Sequence, residues 1–90
     1  MNTYLITYNF SKPNLLLEMN LITAIKSFNF WARPLPNVWL IRTMGYRNNV
    51  MGVLQNYIGP QDKLLIMKVD NDWISLHLEK DVVSWMQSGL

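Results

Sequence analysis

Residues Tyr4 to Tyr8, Tyr-Leu-Ile-Thr-Tyr, are apolar, aromatic or β-branched on both alternating sets. Such a run is a strand for the inside of a sheet, covered on at least one face and closely flanked on the other. It stops on a polar amide, Asn9, followed by a short loop with Ser11, Lys12 and Pro13. Strand ends are where small α/β folds tend to place their chemistry, so Asn9 is both the end of the first strand and the first candidate site residue.

The rest of the chain alternates between the two periodicities. Asn14 is a plausible helix N-cap, with Glu18 in the first turns, where a negative charge suits the helix dipole. Leu17, Leu21, Ala24, Ile25 and Phe28 recur at helical spacing, which predicts an amphipathic helix from about Leu15 to Phe28. Phe30 to Arg33 and Val38 to Arg42 read as a hairpin; Pro34-Leu35-Pro36-Asn37 between them is the turn, because prolines cannot sit inside a ladder. Tyr46, Val50, Val53, Leu54 and Tyr57 predict a second helix, stopped by Gly59-Pro60. Leu64 to Val69 follows as a fourth buried strand and Asp70-Asn71-Asp72 as a polar turn. Glu79 to Gln87 is a short helix with Val82, Trp85 and Met86 against the body. Strand, helix, strand, strand, helix, strand is the ferredoxin-like α+β order, with a four-stranded antiparallel sheet, its first and third strands inside, and two helices on one face.

Ninety residues make one domain, 1–90, with room for a single core. Half of them are hydrophobic and 16% charged, which excludes a disordered tail. The formal charge of +2 comes from scattered Lys and Arg; it permits attraction to phosphate without the dense basic stripe of a committed nucleic-acid binder. Cysteine is absent, so disulfides, thiolate metal sites and thiol nucleophiles are excluded. The start of the chain lacks a basic region with a cleavage site, and no apolar run approaches a membrane span; a cytoplasmic protein without membrane attachment is expected. With both helices on one face, the other sheet face is left uncovered, and the expectation is a homodimer, sheet against sheet or through the C-terminal segment.

The stretches "TYLITYNFSKP", "LITAIKSFNFW", "VWLIRT" and "QDKLLIMKVDNDW" resemble, in order and spacing, the small ferredoxin-like proteins typified by the CRISPR-adaptation endonuclease scaffold and the VapD toxin-like ribonucleases. The similarity is nearest to an uncharacterised SinR-like branch and spans almost the whole chain. In that family the first strand commonly ends in an aspartate, and in active nucleases two such aspartates of a dimer hold a divalent metal. Here the position is Asn9, with Tyr8 and Ser11 beside it. A neutral amide offers magnesium one carbonyl and no charge, so the resemblance implies a degenerate site without cofactor.

Asn9 has other readings, as a strand-end amide capping the loop through Ser11 and Lys12 or as a partner of its symmetry mate. Ser11 and Lys12 form either a small anion-binding loop or a solvated one. His77, flanked by leucines without a nearby carboxylate, carries little catalytic signal. Asp70-Asn71-Asp72 lacks the glycine and glutamate of a calcium loop. Lys12, Arg33, Arg42 and Arg47 are the candidates for a nucleic-acid backbone, with Trp31 or Trp39 as stacking surfaces, although those tryptophans equally suit a core or an interface. The expectation is a non-catalytic homodimer that binds nucleic acid or a protein partner. The alternatives are a magnesium-dependent endoribonuclease, with Asp62, Asp70 or Asp72 as ligand, and a purely structural or regulatory dimer.

Overall fold

The computed structural model describes residues Met1–Leu90. Four strands, β1 (Asn2–Asn9), β2 (Phe30–Leu35), β3 (Val38–Thr43) and β4 (Lys63–Val69), form an antiparallel open sheet in the order β2-β3-β1-β4. Three helices accompany them: α1 (Leu15–Lys26), α2 (Arg47–Leu54), extended by a 3₁₀ turn at Gln55–Tyr57, and α3 (Lys80–Gln87). The fold is therefore α+β, with β1 and β3 as the inner strands.

Local chemistry accounts for the element ends. The Asn14 side chain accepts the backbone N–H of Leu17 at 3.0 Å, and Glu18 lies in the first turn of α1 while Lys26 lies in its last, each charge facing the favourable pole of the helix. The helix ends earlier than periodicity predicts, because Asn29 takes a left-handed conformation (φ 73°) and turns the chain into β2. Asn tolerates that conformation better than most residues.

Pro34 lies inside β2, contrary to the sequence reading that both prolines belong to the turn. The pairing with β3 shifts register between Ala32 and Leu35, and β2 is an edge strand; at an irregularity on an edge, no ladder hydrogen bond is demanded of proline. β4 also departs from expectation. It is the opposite edge strand, with Leu65 and Met67 each half exposed, and not a buried one.

Alternation on β1 sends Tyr4, Ile6 and Tyr8 to the α1/α2 side, where they meet Leu21, Ala24 and Ile25 of α1, Val50 and Leu54 of α2, and Trp39 and Ile41 of β3. Leu21, Ile25, Val50 and Leu54 are fully enclosed, each contributing about 1.5–3 kcal/mol by burial. Leu5 and Thr7 face the other way, opposite Leu40 and Val38 on one side and Met67 and Leu65 on the other. That second face is not left wholly bare. α3 lies against it, burying Met86 beside Leu5 and Leu40.

Candidate functional site

Three groups of polar side chains hold the positions to which the sequence pointed. At the end of β1, Tyr8 is buried and its hydroxyl donates to Glu18 Oε2 at 3.0 Å. Burial, and then the bond to Glu18, push the phenol above its ordinary value of 10.0, against a smaller pull from the Trp39 indole and the Arg33 guanidinium. The indole N–H of Trp39, itself buried, reaches no acceptor with hydrogen-bond geometry. Because the folded state holds the phenol protonated, Tyr8 stabilises the fold fully below pH 10, and the contribution is lost as pH rises through the raised value. Urea denaturation at stepped alkaline pH is expected to show this loss. Tyr8→Phe is expected to cost about 1–2 kcal/mol at neutral pH and to reduce the alkaline dependence.

Asn9 is exposed at the end of its strand, opposite Lys63. The loop beyond it is tied by a different residue. Asp62 Oδ1 accepts the backbone N–H of Ser11 at 2.9 Å and its hydroxyl at 3.3 Å, while Oδ2 accepts the Gly59 N–H at 3.0 Å. Of the two readings of the Ser11–Lys12 loop, anion-binding or solvated, the Ser11 end accommodates a carboxylate of its own chain. A Cβ at Gly59 would lie 2.8 Å from Asp62 Oδ2 and would push that carboxylate aside. The Ser11 N–H foremost, and then the Gly59 N–H and Ser11 hydroxyl, draw the Asp62 carboxyl below its ordinary 3.8, while burial opposes them. Its contribution is complete above about pH 4 and disappears as pH falls through the lowered value. An acid denaturation series is expected to show a shallower loss of stability in Asp62→Asn, from a lower starting stability.

The third group lines the β2 edge. Arg33 stacks over the Trp39 ring with its central carbon 4.6 Å from the centroid, and the Lys26 ammonium sits 4.8 Å over Trp31, with the two indoles 5.5 Å apart. Arg33 Nε also donates to the Pro36 carbonyl at 2.9 Å, which fixes the guanidinium on the hairpin. Two cations are thereby held in a row above two indoles. Trp31 keeps 38% of its surface open, enough to offer a ring face, whereas Trp39 keeps 1% and is a core residue.

The four basic residues proposed from sequence are not brought together. Lys12 lies in the exposed loop at the end of β1, Arg47 opens α2 near the beginning of β1, and Arg42 lies on the second sheet face. Arg42 donates to the Trp85 carbonyl and, at 3.1 Å, to Ser88 Oγ, with its central carbon 3.7 Å above the Trp85 ring. Burial lowers its affinity for the proton. Arg42 thus latches α3, while Lys26, which sequence reasoning missed, is the cation that joins Arg33. Its place in the last turn of α1 was readable, but the proximity of that turn to the β2 edge was not.

His77 is exposed with a left-handed backbone (φ 65°), and Asp70 accepts the Asp72 N–H at 2.9 Å in a tight polar turn. His, Asp and Glu side chains nowhere gather in groups of three or more. No helix is long and apolar enough to cross a membrane. Comparison with protein-family models, curated proteins and solved structures gives no significant match.

Proposed function

We propose that the protein is a non-catalytic homodimeric module, ferredoxin-like in its βαββαβ core and related to the SinR-like branch of the CRISPR-adaptation scaffold proteins, acting in the cytoplasm. The observation that carries the dimer is the amount and kind of surface left open. A monomer of 10.6 kDa typically exposes about 5500 Å², and this chain exposes 6332 Å². The excess of about 800 Å² reflects a sheet face only partly covered and a C-terminal segment laid outside the core. Much of the open surface is apolar and lies on or beside the second sheet face: Leu35, Leu65 and Met67 are half exposed, Leu76 is 79% exposed and Ile74 is 96% exposed. Residues 71–78 enter no backbone–backbone hydrogen bond and only the Asp72 N–H is taken up by a side chain, so this C-terminal segment offers polar backbone as well as apolar side chains.

Sedimentation at micromolar concentration is expected to give a dimer, and Ile74→Asp with Leu76→Asp a monomer of unchanged helix content. A wild-type monomer under these conditions would overturn the reading.

A second reading concerns the partner and rests on the Lys26–Trp31–Arg33 row. A basic edge with one accessible indole suits a single nucleic-acid strand, phosphates on the cations and a base on the ring. Binding that weakens with salt, and that falls in Lys26→Ala or Arg33→Ala without any cutting, is the expected result. The nuclease alternative makes a different demand. It requires a carboxylate near Asn9, and Asp62, next to the strand partner Lys63, already accepts three protein hydrogen bonds. Chelator-sensitive cleavage with magnesium that is lost in Asp62→Asn would favour that alternative over the non-catalytic reading.

A further inference from the structure

Between the second sheet face and the C-terminal segment lies a half-open cleft of about 340 Å³, walled by Leu5, Leu40, Val69, Trp73, Met86 and Leu90. That volume is at the lower end of small-molecule sites, and an apolar wall with a few placed polar groups is their usual composition. Asp70 and Asp72 stand at its mouth, held together by the Asp72 N–H to Asp70 bond. Lys68 also borders the cleft, so two aspartates stand against one lysine around it. The nearby Arg42 guanidinium is engaged under α3 with Trp85 and Ser88 and does not line the cleft. The side-chain charge presented to an occupant is therefore negative, in a chain whose net charge is +2.

From this charge complementarity we infer that the cleft binds a small amphipathic cation, an aliphatic or aromatic body carrying an amine, with the body on Leu5, Leu40 and Met86 and the ammonium between Asp70 and Asp72. Carboxylates at the rim select the charge and the apolar walls select the body; neither alone makes the site. The latched α3 supplies Met86 and with it one wall. The cleft adjoins the proposed dimer surface, sharing the second sheet face and residues 72–73 with it, and is separate from the β2 edge.

The test is a titration of the full chain with three probes of one shape and different charge: phenethylamine, phenethyl alcohol and 3-phenylpropanoate, followed by chemical shifts of the methyl groups of Leu5, Leu40, Val69 and Met86. Saturable shifts are expected with the amine, at an affinity about ten-fold above that for the carboxylate. Added salt is expected to narrow the gap. Asp70→Asn with Asp72→Asn, both exposed positions, is expected to bring the amine down to the alcohol. No saturable shift with the amine, or carboxylate binding as tight as the amine's, would overturn the inference using the wild-type chain alone. Undiminished preference for the amine in the double variant would overturn the role of the aspartates.

Discussion

Trp39→Ala is expected to lower the stability of the protein by about 3–5 kcal/mol, read as a shift in the urea midpoint followed by far-ultraviolet circular dichroism. Trp39 is among the largest side chains in the core, 1% exposed, and lies on inner strand β3 opposite Ile6 of β1. Its removal opens a cavity in the middle of the sheet and also takes away the ring on which Arg33 stacks. A domain of this size has a total stability of about 5–13 kcal/mol, so the variant is expected to sit close to its unfolding transition. The indole N–H adds a distinguishing detail. It is buried without an acceptor, so Trp39→Phe loses some packing but relieves an unsatisfied donor that costs about 1–3 kcal/mol. That variant is expected to be much milder than Trp39→Ala; equal losses would show that the indole nitrogen matters more than the ring.

Arg42→Ala is expected to release α3 while the rest of the fold stays intact. An eight-residue helix has little stability of its own, so α3 depends on what it touches. Two charge-assisted hydrogen bonds and a stacked guanidinium join it to β3, and together they are worth about 2–3 kcal/mol. Amide hydrogen exchange is the suitable measurement, with protection expected to fall in residues 80–87 and to persist in β1 and β3. Arg42→Lys is expected to recover little, because an ammonium retains the charge but cannot form the planar, two-pronged contact with Trp85 and Ser88. Global unfolding in Arg42→Ala would instead place α3 within the same cooperative unit as the sheet.

Much of the element plan is legible in the sequence. Asn14 as a cap, the apolar row Leu17–Leu21–Ala24–Ile25, and β1 and β3 as inner strands depend on periodicities that a single segment carries within itself. The misreadings fall where edge and centre must be told apart. Sequence alone puts Pro34 in the turn and Leu64 to Val69 in a buried strand, yet both strands lie at the rims of the sheet, where proline is tolerated and apolar residues remain half exposed. Composition does not distinguish the edge strand β4 from the inner β3 when both carry leucine and isoleucine.

The candidate site was less legible than the fold. Asn9, singled out because it ends β1, makes way for Asp62 as the residue that ties the loop, across 51 positions of sequence. The basic residues were grouped by type, but the structure sends Arg42 to one face and Arg33 to the other and seats Lys26 beside Arg33. Sequence by itself determined the order of strands and helices and the Asn14 cap, because those follow from side-chain alternation and backbone preferences over a few residues. Tertiary structure alone decided which face each charge occupies, which carboxylate meets which amide, and how much of the second sheet face α3 covers. Those are contacts between segments far apart in the chain, and their geometry exists only once the sheet has formed.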